Sequence, residues 1–177
     1  MPNHVPAKNA NARLTIRKAI ISDVEDILEL VNRFAASNLM LPRGPQYIYE
    51  NIRDFVVAVD SNGFDSHATR SENGRERFLG CGSLHILWRD FAELRALAIS
   101  EAYQHMGIGK AIVEFIIRES RELNLKFLYT FTLSTAFFKE MGFTAKKKEE
   151  LPPNLWVECS RCPKFFNCDE VGMVFEF

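Results

Sequence analysis

Apolar positions recur along the chain with two spacings, and the changes between them mark the elements. Val24, Ile27, Leu28, Val31, Phe34 and Ala35 return every three or four residues, which predicts an amphipathic helix over 22–36. Ser22-Asp-Val-Glu25 at its start has capping-box spacing, with the Ser22 hydroxyl on the Glu25 amide and the Glu25 carboxylate returning to Ser22. Ile108, Ala111, Ile112, Phe115 and Ile116 form the stripe of a second helix over 107–123. Shorter helices are expected over 46–52 and 135–141, the latter closed by Gly142 in a left-handed position. Leu14–Ala19, Phe55–Val59, Phe78–Leu87, Phe91–Ser100, Phe127–Thr132, Phe143–Leu151 and Val171–Phe177 read as strands, the third and fourth as an antiparallel pair. Residues 1–13 read as a flexible lead, 60–77 as a long polar hairpin loop, and 152–169 as a loop holding three cysteines. Mixed strands and helices with no central linker point to a single α/β domain over 14–177, with a central, mostly antiparallel twisted sheet flanked by helices.

Composition narrows the class. A chain of 177 residues is one domain of ordinary size, and 47% hydrophobic with 25% charged residues is a globular balance. A net charge of −1 lacks the basic surplus of a general nucleic-acid binder. No apolar run reaches the roughly 18 residues of a membrane span, and the polar N-terminus carries no secretory signal. Four cysteines without an export signal fit reduced thiols or metal ligands, so a cytoplasmic protein without membrane or nucleic-acid partners is expected.

The densest chemical signal lies between the strand at 91–100 and the helix at 107–123. Gln104-His-Met-Gly107-Ile-Gly109-Lys110 places two glycines at a helix N-terminus, where unpaired amides and the helix dipole favour a pyrophosphate. A plain helix entry that happens to contain two glycines is the alternative; a pyrophosphate bound here would meet the amides from Met106 to Lys110, through Gly107, Ile108 and Gly109. Ile112 stands where a nicotinamide-binding turn needs glycine, and Ala111 follows Gly109-Lys110 where a Walker loop needs Ser or Thr, so both of those readings fail.

Ala92-Glu-Leu-Arg-Ala-Leu-Ala-Ile99, Tyr103-Gln-His-Met-Gly-Ile-Gly109 and Phe137-Phe-Lys-Glu-Met-Gly-Phe143 resemble the GNAT superfamily of acetyl-CoA-dependent N-acetyltransferases, and the order of elements fits it as well. Met40-Leu-Pro-Arg43, Tyr49 to Phe55, Gly80 to His85, Glu149 to Pro152 and Trp156 to Glu170 resemble, more narrowly, the short stand-alone form of N-acetylglutamate synthase. The resemblance implies direct acetyl transfer to the α-amine of L-glutamate, at the start of arginine biosynthesis, with acetyl-CoA as cosubstrate. It implies that Leu97-Ala98-Ile99 bonds the pantetheine as an added strand would. Gln104 and His105 belong to the same CoA-binding turn, and an amide near Leu97 would face the thioester oxygen.

Such a transfer needs a base, donors for the oxyanion and an acid for the thiolate. Glu93, a lone carboxylate in an apolar strand, is the first choice for the base, through water; a surface pair with Arg95 is the bland alternative. In a regular strand Glu93, Arg95, Leu97 and Ile99 share a face, a parity that a bulge would break. His85 on the neighbouring strand is the rival base. Phe138 occupies the position where the superfamily often carries a tyrosine acid. Ser134 is therefore the candidate acid, ahead of Tyr129 and Thr132, against a plain helix cap. Arg43 and Arg95 are the candidates for the two carboxylates of glutamate, because a guanidinium fork binds carboxylate bidentately.

Cys159-x-x-Cys162-x5-Cys168 has spacing suited to zinc or iron, with Asp169, Glu158 or Cys81 as a fourth ligand, or else holds three free thiols. Two other functions compete with amino-acid acetylation: acetylation of a polyamine or a protein N-terminus, and a metal- or redox-sensing module on the same scaffold. Arginines rather than acids near the acceptor disfavour a polyamine. The small-molecule acceptor is expected to be glutamate, and a homodimer is left open.

Overall fold

The computed structural model describes residues 14–61, 76–160, 162 and 164–177; the lead at 1–13 and most of the predicted hairpin loop lie outside them. In chain order the elements are β1 (Leu14–Lys18), α1 (Val24–Ala36), α2 (Pro45–Glu50), β2 (Phe55–Asp60), β3 (Arg77–Ile86), β4 (Phe91–Ile99), α3 (Ile108–Glu122), β5 (Phe127–Thr132), α4 (Thr135–Glu140), β6 (Thr144–Ala145), α5 (Trp156–Cys159) and β7 (Val171–Glu176). Most of the predicted boundaries agree within two residues.

Among the described residues the strands make one mixed seven-stranded sheet in the order β1-β2-β3-β4-β5-β7-β6. All neighbours are antiparallel except β4 and β5, which α3 joins as a parallel crossover. That parallel ladder is short: it pairs only Phe91 with Phe127, Ala92 with Leu128 and Glu93 with Tyr129. Past Glu93 the two strands diverge, and the sheet opens between them.

Both faces of the sheet are covered, and β2 shows why its sequence is apolar without alternation. Val56 and Ala58 pack under α3, whereas Phe55, Val57 and Val59 pack under α1 and α2. A chain of edge-to-face rings, Phe137–Phe138–Phe143–Phe175 at 5.1–5.5 Å between centroids, ties α4 to β7.

Three expectations need correction. Ser22 and Glu25 do not form the capping box, because the residues 21–23 make a 3-10 turn and α1 starts at Val24. Asp23 stands at the N-cap position of α1 without a side-chain bond into it; its carboxylate instead accepts the Ile20 amide at 2.8 Å, closing the 3-10 turn, and the Arg17 guanidinium at 2.7 and 3.0 Å. The strand expected over 143–151 is reduced to Thr144–Ala145. The Lys-Lys-Glu-Glu run that follows offers no apolar face to the sheet, and a 3-10 turn with Glu150 N–H on the Lys147 carbonyl (3.0 Å) takes over. The cysteine loop is also structured: Leu151 and Leu155 are buried under β5 and β7 beside Tyr129 and Val174.

Candidate active site

The opening between β4 and β5 is a cleft of about 730 Å³. One wall is the β4 edge from Glu93 to Ile99, the other is β5 and the start of α4, and the floor is the turn before α3. The divergence leaves the β4 edge beyond Glu93 without a ladder to β5; only the Thr130 hydroxyl crosses, donating to the Leu94 carbonyl at 3.0 Å.

A bulge in β4 decides what faces where. Cys81 pairs with Ala98 but Ser83 pairs with Arg95, so β4 carries one extra residue there, with Ala96 in the left-handed region at φ 51°. Ala92 and Leu94 lie on the α3 face together with Leu97 and Ile99, while Ala96 and Ala98 lie on the α1 face. Glu93 and Arg95 therefore do not share a face with Leu97 and Ile99, as a regular strand would require. The side chains of Leu97 and Ile99 border the cleft, and that of Ala98 is buried against α1.

The turn before α3 is built for close approach. His105 and Gly107 have φ of 61° and 81°, and a Cβ on Gly107 would meet nothing within 4 Å. A Cβ on Gly109 would meet only Ile99 and Phe137 at 3.7 Å. The Gln104 side-chain Nε2 donates to the Ile99 carbonyl at 3.2 Å and ties the turn to the end of β4. Gln104, His105, Gly107, Ile108, Gly109 and Lys110 all border the cleft; the side chain of Met106 is exposed outside it.

On the α1 face four charged groups form a chain. The Arg95 Nε donates to Glu93 Oε2 at 2.7 Å, and a terminal nitrogen of Arg95 reaches Glu158 Oε1 at 3.0 Å. Arg43 donates to the same Glu158 carboxylate at 2.6 and 3.3 Å. The Asn32 side chain donates to the Arg43 carbonyl and accepts its amide, both at 2.9 Å, and the Arg43 guanidinium stacks 4.1 Å above the Tyr47 ring. Glu93 and Arg95 are each only 8% exposed. Burial raises the Glu93 carboxyl above its ordinary value, against the charge and hydrogen bond of Arg95. Burial also pulls Glu158 upward, but the Arg43 hydrogen bond and the charges of Arg95 and Arg43 outweigh it and hold that carboxyl low.

His85 lies opposite Glu93 in the β3–β4 ladder, with its Nδ1 2.7 Å from the Asp54 carboxylate, and it does not border the cleft. Ser134 stands at the N-cap of α4, yet its hydroxyl makes no capping bond; the side chain is exposed at the cleft. Thr132 is buried and accepts the Ser134 amide at 2.9 Å, and Tyr129 turns away into the cluster with Leu151 and Leu155. Phe138 is buried at the cleft wall, where the phenyl ring supplies no proton.

The cysteines correct a further expectation. Among the described residues no group of three or more His, Cys, Asp or Glu side chains is disposed to hold a metal, so zinc or iron at Cys159, Cys162 and Cys168 gains no support. Glu158, weighed in the sequence as a metal ligand, spans two arginines instead. Burial, with Glu93 adding to it, pushes the Cys159 thiol up to about 11, and burial pushes Cys81 to about 12. Neither is a reactive thiolate at neutral pH, which weakens the redox-sensor alternative. Sequence reasoning also missed Asn32, Tyr47 and Asp54. Asn32 and Asp54 act on partners 11 and 31 residues away, and Tyr47 acts through the face of its ring on Arg43, contacts that the local pattern does not signal.

A sheet split beside a glycine turn at a helix N-terminus, with a raised carboxylate on the split strand, is the arrangement that the resemblance to acyl-CoA-dependent acyltransferases implies. The comparisons name the family: residues 26–143 match the acetyltransferase (GNAT) family, and the chain belongs to it. It is 33% identical over 159 residues to an uncharacterized N-acetyltransferase of Chlorobaculum tepidum, covering 90% of this chain and 94% of that one. It is 33% identical over 134 residues to an amino-acid acetyltransferase of Mycobacterium tuberculosis, covering 76% and 70% of the two. The match to the Azotobacter vinelandii amino-acid acetyltransferase, 30% over 139 residues and 77% of this chain, spans only 29% of that longer protein. Among solved structures, a Mycobacterium tuberculosis protein in complex with CoA superposes with a TM-score of 0.71 at 27% identity, over 92% of this chain and 99% of that one. The N-acetylglutamate synthase of Neisseria gonorrhoeae, complexed with coenzyme A and N-acetyl-glutamate, shares the fold at 22% identity, with a TM-score of 0.75 over 94% of this chain and 35% of that one. No helix among the described residues is long and apolar enough to cross a membrane.

Proposed function

We propose that this acetyltransferase moves the acetyl group of acetyl-CoA directly to the α-amine of an amino acid, with L-glutamate the preferred acceptor, the reaction that opens arginine biosynthesis. The observation that carries the reading is the pair Arg43 and Arg95, which already bracket one carboxylate at 2.6–3.3 Å beside Glu93. The names of the relatives support an amino-acid acceptor, and the bound N-acetyl-glutamate of the Neisseria gonorrhoeae enzyme supports glutamate.

In this reading the pyrophosphate of acetyl-CoA lies on the amides of Met106 to Lys110, and the pantetheine runs along the open β4 edge at Leu97–Ile99. Glu93, lifted by burial towards the pH at which it works, takes the ammonium proton through water. The amine nitrogen attacks the thioester carbon; the C–N bond forms, the oxyanion meets an amide near Leu97, and the C–S bond breaks. The Ser134 hydroxyl, free of a capping role, gives its proton to the leaving thiolate and regains one from the attacking nitrogen, which sheds its second proton as it becomes the amide. His85 orients through Asp54 and lies outside the cleft, which leaves it second to Glu93 as base. The test is release of CoA thiol with L-glutamate, L-glutamine, spermidine and a short peptide as acceptors. Preferred turnover of glutamate is expected; turnover of spermidine or peptide without glutamate would overturn the acceptor and leave only the family.

A further inference from the structure

Glu158 is an odd occupant of this site. It lies on α5, in the segment that carries the cysteines, 115 residues from Arg43 and 63 from Arg95. Its carboxylate nonetheless takes two contacts from Arg43 and one from Arg95, the set that a carboxylate of an acceptor would take. Each arginine also has a partner other than Glu158. Arg43 is fixed through both backbone polar groups by Asn32 and rests on the Tyr47 ring. Arg95 is fixed by two contacts to Glu93, at 2.7 and 2.6 Å. The element carrying Glu158 is held more lightly: α5 is four residues long, none of them buried, and the carboxylate side chain is 27% exposed against 7% for Arg95. Glu158 also borders the cleft, so its departure opens onto the space that an acceptor enters.

Charge adds a second argument. With Glu158 in place the cluster Arg43, Arg95, Glu93 and Glu158 is neutral, and no guanidinium charge remains for the side-chain carboxylate of an acidic acceptor. With Glu158 displaced, the same cluster has one positive charge in excess beside the base.

We propose that Glu158 holds the place of an acceptor carboxylate between Arg43 and Arg95, and that a dicarboxylate acceptor binds by exchanging with it. The proposal rests on the acidic-amino-acid reading above and adds to it a residue that sets acceptor affinity. Exchange makes binding of a dicarboxylate weaker than the two arginines alone would give. It also couples binding to outward movement of α5 and the cysteine segment.

Glutarate, a dicarboxylate without an amine to acetylate, separates binding from turnover. Calorimetry with the CoA-loaded enzyme should show that Glu158→Gln binds glutarate about ten-fold more tightly than the wild type, since a charged competitor has been replaced by a neutral one. The Michaelis constant for glutamate should fall in the same direction, with kcat changing less. Equal or weaker glutarate binding to the variant overturns the proposal and assigns Glu158 to holding the arginines or the acceptor. A second measurement needs no variant: hydrogen exchange at the amides of Ser160 and Cys162, which bond the Trp156 and Cys159 carbonyls, should speed up when glutarate saturates the wild-type enzyme. Slowed or unchanged exchange overturns the proposal. Absence of glutarate binding to both proteins, together with turnover of an uncharged amine, removes the acidic-acceptor reading itself and the exchange with it.

Discussion

Deleting Arg95 should be the most damaging single charge change in the cleft. Arg95 donates to Glu93 at 2.7 and 2.6 Å and to Glu158 at 3.0 Å, and its side chain is 7% exposed, with that of Glu93 at 10%. Arg95→Ala leaves Glu93 buried and unpaired, a loss of about 3–5 kcal/mol for a broken buried pair. Arg43→Ala should cost less, about 1–2 kcal/mol, because Glu158 keeps Arg95 and is 27% exposed. The double variant Glu93→Gln/Arg95→Met removes both charges at similar volume and should return to within about 1 kcal/mol of the wild type. The pH dependence provides an internal control. Burial raises Glu93 above its unfolded value, so the folded chain binds that proton more tightly than the unfolded chain. The Glu93 contribution is then fullest below the unfolded carboxylate value and is lost as pH rises through the folded one. Without Arg95 to oppose it, Glu93 rises further, and the loss between pH 5 and pH 7 should be larger in Arg95→Ala than in the wild type. Urea unfolding followed by far-ultraviolet circular dichroism at both pH values measures all of these. A loss under about 1 kcal/mol for Arg95→Ala, or an equal loss at pH 5 and pH 7, would show that Glu93 is solvated after all and refute the reasoning.

Gly109→Val, its fold checked by circular dichroism because a Cβ alone is seen to fit there, with nearest contacts at 3.7 Å, should weaken CoA about ten-fold or more by calorimetry, because the added methyls stand where phosphates approach the amides. The acidic limb of the kcat/KM profile for glutamate should titrate above the ordinary carboxylate value in the wild type and disappear in Glu93→Gln, with CoA binding unchanged; retention of that limb would pass the base role to another group. Gly80→Ala should cost about 1–3 kcal/mol in urea unfolding, because its Cβ would lie 2.6 Å from the Ala98 carbonyl beside the β4 bulge, and that backbone has no side-chain freedom with which to give way.

Local patterns carried much of the fold. The stripe from Ile108 to Ile116 places α3 because a 3.6-residue repeat has no other way to bury its apolar face, and the Gly107-Ile-Gly109 turn marks the start of that helix through chemistry contained in seven consecutive residues. The resemblance to the acetyltransferases rests on the same contiguous motifs. Where the apolar pattern thinned, as over 146–151, the sequence had no periodic signal, and the side-chain bond of Glu150 to the Lys147 amide settled the backbone instead.

Three features were decided only in three dimensions. The bulge at Ala96 reverses the facing of β4, and it depends on pairing with β3 rather than on any residue of β4 alone. The cleft exists because β4 and β5 stop pairing after Glu93, a boundary set by the placement of both strands and not by the pattern of either segment. The carboxylate between Arg43 and Arg95 comes from the cysteine loop, whose spacing suggested a metal but whose fold brings Glu158 across the sheet. In each case the sequence names residues able to bond, but only the closed chain selects which partners meet. Electrostatic and hydrogen-bonding energies act over a few ångströms of space, whatever the number of residues that separates the groups along the chain.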